Sequence, residues 1–144
     1  MTPRNRTSCS PVNVTRSRTM ASIRSRGNGT TEMALVRLFR IKNVTGWRRH
    51  LPLPGRPDFI FKHARLAVFV DGCFWHGCRW CYQAPKQNSS YWSQKVRANK
   101  LRDVEVSRVL RNQGWRVCRI WEHSLTDAEK VAAKIRRLLA EQEQ

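Results

Sequence analysis

Apolar positions along the chain fall into short blocks whose periods differ. From Thr30 or Thr31 to about Ile41, Met33, Val36, Leu38 and Phe39 recur at helical spacing, and either threonine can cap the first turn. Residues 42–57 lose the pattern and are rich in Pro, Gly and Arg, which predicts a loop. Two apolar runs follow, 58–61 and 66–71, separated by Lys62-His63-Ala64-Arg65; they read as an antiparallel hairpin. With the turn centred between Ala64 and Arg65, Asp58 lies directly across from Asp71. A polar loop with Pro85 leads to a long helix over about 90–112, with Val96, Leu101, Val104, Val109 and Leu110 expected inward and Gly114 as its stop. Residues 115–121 alternate as a strand. Thr126-Asp127-Ala128-Glu129 then forms a capping box for a last helix that buries Val131, Ile135, Leu138 and Leu139. The order of helix, hairpin, helix, strand and helix makes an α/β protein, a mixed sheet flanked by helices.

Composition narrows the partner. The 144 residues carry a formal charge of +18, an excess that calls for a polyanion, and nucleic acid is the leading candidate. Residues 1–26 hold six arginines and no acid; with little to bury, they read as a basic, largely disordered tail or arm. Residues 27–144 form one domain, itself basic. The longest strongly apolar stretch, about Leu66 to Val70, is far short of the ~20 residues of a membrane span, and the N-terminus lacks the apolar stretch of a secretory signal. Five cysteines, an odd number with three crowded together, point to a reduced compartment rather than a disulfide framework.

Candidate chemistry collects around residues 58–82. Cys73, Cys78 and Cys81 have the spacing C-x4-C-x2-C, which suits a tetrahedral zinc ion, with His76 or His123 as the fourth ligand. Cys118 alternates within a strand and reads as a small core residue. Two aspartates face to face, Asp58 and Asp71, need a cation between them, either a divalent metal or an arginine. If His123 takes the zinc, His76 is free to serve near the carboxylates as a general acid or base. Glu32, in a first helical turn, is either a dipole-favoured acid or a neighbour of the metal site. Trp47-Arg48-Arg49-His50 mixes a ring with cations and could hold phosphates. Phe74 and Trp75, with Trp92, are either core or a wedge between stacked bases.

Several blocks together resemble the very short patch repair (Vsr) endonucleases, bacterial DNA mismatch nickases. They are Thr15-Arg-Ser-Arg-Thr-Met20, Leu53-Pro-Gly-Arg-Pro-Asp58, Gly72-Cys-Phe-Trp-His76, Asn99-x-x-Arg-Asp103 and Gly114-Trp-Arg-Val117, within a span from about Thr15 to His123. The resemblance implies a restriction-endonuclease-like fold and a Mg2+-dependent enzyme that nicks double-stranded DNA beside a T:G mismatch. By position it makes Asp58 the metal-binding catalytic aspartate, His76 a catalytic histidine and Glu32 an acid near the site, with the Val70 carbonyl a further Mg2+ contact. Cys73, Cys78 and Cys81 match a structural Zn2+ site, and His123 stands where better-known members have a cysteine. Phe74, Trp75 and Trp92 match an intercalating wedge, and Met20 a residue of a DNA-gripping arm. Asp71 departs from the pattern, standing where better-known members carry a histidine; it can still bind magnesium or activate water. The expectation is a monomeric cytoplasmic, nucleoid-associated bacterial enzyme with a repair protein or methylase as possible partner. The rival readings are a restriction-like nuclease linked to a methylase and a non-catalytic zinc-stabilised DNA-binding module.

Overall fold

A computed structural model describes residues 31–141; the N-terminal arm and Met20 lie outside the described residues. The elements are α1 (Glu32–Ile41), β1 (Trp47–Arg48), β2 (Phe59–Phe61), β3 (Leu66–Asp71), α2 (Ser89–Asn112), β4 (Arg116–Trp121), a 3-10 turn (Glu122–Thr126) and α3 (Ala128–Ala140). They form a mixed four-stranded sheet in the order β1-β2-β3-β4. β1 and β2, and β2 and β3, pair antiparallel, while β4 runs parallel to β3. A parallel neighbour cannot be reached by a tight turn, and α2 supplies the crossover.

β3 organises the sheet. All six of its residues are buried, since a strand paired on both edges and covered on both faces has nowhere to expose a side chain. On one face Phe59, Phe61, Leu66, Val68, Val70, Cys118 and Ile120 pack against α1 (Leu35, Val36, Phe39) and α3 (Val131, Ala132, Ile135). On the other, Ile60, Ala67 and Phe69 pack against Leu110 and Val106 of α2. Helices therefore cover both faces of the sheet.

Four expectations are corrected. The hairpin register is shifted: Phe59 faces Val68 and Phe61 faces Leu66, so Asp58 stands just outside β2 and is not directly across from Asp71. The shift is by an even number of residues, which leaves both carboxylates on the face of Ile60 and Phe69. The loop expected over 42–57 contains β1. There the Trp47 indole donates to the Val44 carbonyl (2.9 Å) and packs against Phe39 and Phe59 rather than standing free. In α2, Leu101 and Val104 are 65% and 70% exposed. The buried positions are Val96, Asn99, Ser107 and Leu110, so one apolar edge of the helix yields to a more polar stripe. The cap of α3 is Asp127, whose side chain accepts from the Lys130 backbone N–H at 3.1 Å; Thr126 belongs to the preceding turn and its hydroxyl donates to the His123 carbonyl.

The segment Pro54-Gly55-Arg56-Pro57 delivers Asp58 to the sheet end. Gly55 has φ +75°, and a Cβ there would lie 2.2 Å from a methyl of Val106. Only glycine lets this turn lie against α2.

Candidate active site and metal centre

Two sites meet at the C-terminal end of β3. The first begins with Asp58, whose Oδ2 accepts a 2.7 Å hydrogen bond from the Val70 backbone N–H. Burial pushes its carboxyl up from the ordinary 3.8 to about 6; the Val70 hydrogen bond works the other way, and the charges of Glu32 and Asp71 add to the rise. A carboxylate desolvated beside other acids gains from any cation brought to it.

Asp71 carries its own cation. Arg119 of β4 donates from Nη1 to Asp71 Oδ1 (3.0 Å) and Oδ2 (3.3 Å). Burial raises the Asp71 carboxyl above its ordinary value even against the charges of His76 and Arg119. His76 lies beside this pair, with Nε2 3.9 Å from Asp71 Oδ1 and Nδ1 2.5 Å from Asp103 Oδ2. An ionised carboxylate only accepts, so Nδ1 carries the proton and Nε2 faces the site. Burial disfavours the imidazolium, but the Asp103 hydrogen bond and the charges of Asp71 and Asp103 outweigh it and leave His76 raised. Among the described residues, Asp71, His76 and Asp103 form a group of donors within 4.8 Å of one another, and Asp58 is not a member.

Glu32 is 3% exposed and is held by Arg49 (Nη2 2.6 Å, Nε 3.1 Å) and by His50 Nε2 (3.1 Å). Arg49 and His50, in a segment whose sequence allows either phosphate holding or a solvated basic loop, fold back onto this acid. Glu32 reaches Asp58 through its charge.

The second site is the cluster of Cys73, Cys78, Cys81 and His123. His123 sits in the 3-10 turn after β4, and its Nδ1 lies 3.4, 3.6 and 3.5 Å from the three sulfurs. A tetrahedral ion with the usual zinc–sulfur and zinc–nitrogen distances would set sulfur and nitrogen ~3.6 Å apart. One ring nitrogen cannot satisfy three sulfurs by hydrogen bonding, whereas one ion can. Burial pushes the Cys73 thiol up to about 12, so a thiolate there calls for a metal. Metal binding requires all three sulfurs as reduced thiolates. Of the two histidines, the structure places His123 with the sulfurs and His76 with the carboxylates.

Between the sites lies an aromatic group. Phe74, Trp75 and Trp92 pack edge to face with centroids 5.2–5.8 Å apart. Phe74 is buried and forms the floor, while Trp75 and Trp92 are partly exposed. Tyr91 extends the group (5.0 Å from Trp92) and is 57% exposed. Asn99 of α2 donates to the Trp75 carbonyl at 2.7 Å.

Sequence reasoning assigned no role to Asp103 or Arg119. Asn99, Asp103 and Ser107 recur every four residues along α2, and polar side chains at that spacing on a core-facing helix are a readable signal. Placing Leu101 and Val104 inward hid it.

Residues 12–83 match the family profile described as DNA mismatch endonuclease Vsr. A type II nicking enzyme of Xanthomonas oryzae pv. oryzae is 45% identical over 89 residues, 60% of this chain and 65% of that protein. A second, from Lentzea aerocolonigenes, is 41% identical over 125 residues, 82% of this chain and 74% of its own length. The DNA mismatch endonuclease Vsr of Escherichia coli K12 is 34% identical over 119 residues, 81% and 75% of the two chains. The chain thus spans a little under two thirds of the Xanthomonas relative and about three quarters of the other two. With the profile covering half the chain and relatives aligned over most of it, this protein belongs to the Vsr family of DNA mismatch endonucleases.

Proposed function

We propose that the protein is a magnesium-dependent endonuclease that nicks one strand of duplex DNA beside a T:G mismatch, with a zinc ion held by Cys73, Cys78, Cys81 and His123. The observation that carries the reading is Asp58 standing beside a relay of Asp71, His76 and Asp103, with aromatic rings at its rim. Asp58 and the Val70 carbonyl would hold magnesium, with Asp71 beside them. The bound ion supplies neutralisation of phosphate charge and a water of lowered pKa. His76 presents Nε2 to the site, and Asp103 fixes its tautomer. The raised affinity of the ring for a proton suits it to protonate the departing oxygen at neutral pH. The clustered cations bind the phosphate backbone, and Trp75, Trp92 and Tyr91 press on the weakened pair.

Nicking of matched, T:G and methylated duplexes, each with and without magnesium, tests the reading. Cleavage confined to the T:G duplex with magnesium is expected. The type II nicking enzymes among the relatives favour a second reading, action linked to a restriction system. That reading predicts nicking that follows a recognition sequence or its methylation rather than the mismatch. A DNA-binding module without catalysis nicks none of them.

Asp103 offers a separate check. Asp103→Asn is expected to lower kcat about 10- to 100-fold while leaving the KM for DNA unchanged. Asp103 raises the His76 pKa, so its loss moves the falling alkaline limb of the pH–rate profile to lower pH. An unmoved limb would show that His76 does not serve as the acid.

A further inference from the structure

The segment Trp47-Arg48-Arg49-His50 divides at the edge of the sheet. Arg49 and His50 fold onto Glu32, while Trp47 and Arg48 form β1, the first partly buried and the second exposed. Trp47 pairs with Phe61 at the end of β2, and the chain leaves that strand through Lys62 and His63. Both lie in the turn before β3, and both are exposed. With Gly46, these four residues line a cavity of about 360 Å3. Arg48, Lys62 and His63 thus border one concave spot. Among the described residues, no carboxylate pairs with any of the three. Arg49, next in sequence to Arg48, shows the contrast, since the buried Glu32 takes up its charge.

Cations gathered in a concavity repel one another and lose part of their water, a cost that an anion with several acceptor oxygens offsets. The three donors differ usefully: a guanidinium fork grips two phosphate oxygens, an ammonium adds a point charge and an imidazole a further N–H. Trp47 supplies an aromatic wall. At Gly46 (φ +88°) a Cβ would meet nothing within 4 Å, so the approach over that backbone is open. The volume exceeds the need of a bare phosphate and is in the range of small-molecule sites. We propose that Arg48, Lys62 and His63, beside Trp47, form a second phosphate-binding site that takes a nucleotide unit, either within a DNA backbone or free. β3 runs from this end of the sheet to the carboxylates; six residues long, it sets the two sites ~17 Å apart. The proposal does not rest on the nicking reaction, because binding is read without cleavage.

The experiment follows the Trp47 indole N–H and the His63 ring by NMR in the zinc-loaded full-length protein, without magnesium. Inorganic phosphate and deoxyadenosine 5′-monophosphate are titrated separately, and the affinity for a matched duplex is measured against salt. Wild type is compared with Arg48→Gln plus Lys62→Gln, and with a charge-matched control, Lys130→Gln plus Lys134→Gln. All four side chains are exposed, so both variants are expected to fold. Saturable shifts are expected, weakened about 10-fold or more in the first variant and unchanged in the control. If a DNA backbone fills the site, the slope of log affinity against log salt falls by about one in the first variant and stays in the control. If the slopes of the two variants agree while the small anions still depend on Arg48 and Lys62, the occupant is a free nucleotide. Three results overturn the proposal. They are the absence of any saturable shift together with equal slopes in the two variants, equal loss of phosphate binding in both, and wild-type phosphate binding in the first variant.

Discussion

Asp58→Asn is expected to abolish magnesium-dependent nicking, by ~10³-fold or more, and at the same time to make the metal-free protein more stable above pH 7. Both effects come from one feature, a carboxyl that burial holds at about 6 instead of 3.8. Below pH 3.8 the group is protonated in folded and unfolded chains alike and costs nothing. Between 3.8 and 6 the unfolded chain releases its proton first, so stability falls as pH rises. Above 6 the full penalty is present, on the order of 1–3 kcal/mol. Asparagine keeps an oxygen to accept from Val70 and carries no charge, so it removes the penalty. Thermal melts of wild type and variant at pH 4 and pH 8, without divalent ions, check this. A gain of several degrees at pH 8 that vanishes at pH 4 is expected. Equal melting temperatures at pH 8 would mean that Asp58 is not strained by burial. Retained nicking would remove it from the reaction, and DNA binding by the variant separates loss of chemistry from loss of fold.

The second large effect concerns the metal of the cysteine cluster. Protein purified under reducing conditions is expected to hold about one zinc per chain. Stripping it is expected to lower the melting temperature by at least ~10 °C, because the binding free energy of a structural zinc is comparable to the stability of a whole domain. Cys78→Ser and His123→Ala are expected to lose zinc. Cys118→Ser serves as the control: Cys118 is buried in the sheet core away from the cluster and should keep it. Metal analysis and melting curves of the four proteins decide the matter. A zinc content untouched by Cys78→Ser would place the ion elsewhere. Loss of zinc also frees the segment carrying Trp75 and His76, so the stripped protein should lose nicking even at saturating magnesium.

Much of the fold was legible because its cues are local. The 3.6-residue stripe of α1, the β-rich run of β3, Gly114 after α2 and the alternation of β4 each depend on neighbours a few residues away. The cysteine spacing likewise marked the cluster of sulfurs, since C-x2-C constrains a tight loop by itself. Register and helix rotation were less legible. A hairpin closed two residues differently keeps the same faces and the same pattern, so no local cue separates the two registers. α2 carries apolar residues on two sides, and only contact with the sheet chose the side of Val96 and Leu110 over that of Leu101 and Val104.

The sequence alone determined the kind of protein this is: an α/β chain with a basic surface, a thiol cluster and aspartates bracketing a central hairpin. Tertiary structure decided which groups meet. It sent His123 to the sulfurs and His76 to the carboxylates, a choice that spacing left open because the two histidines are 47 residues apart in the chain and both adjoin β-strand ends. It also answered the question of what neutralises Asp71. The parallel pairing of β3 with β4 brings Arg119 from 48 residues away, a contact set by the crossover through α2 and invisible to any window of sequence.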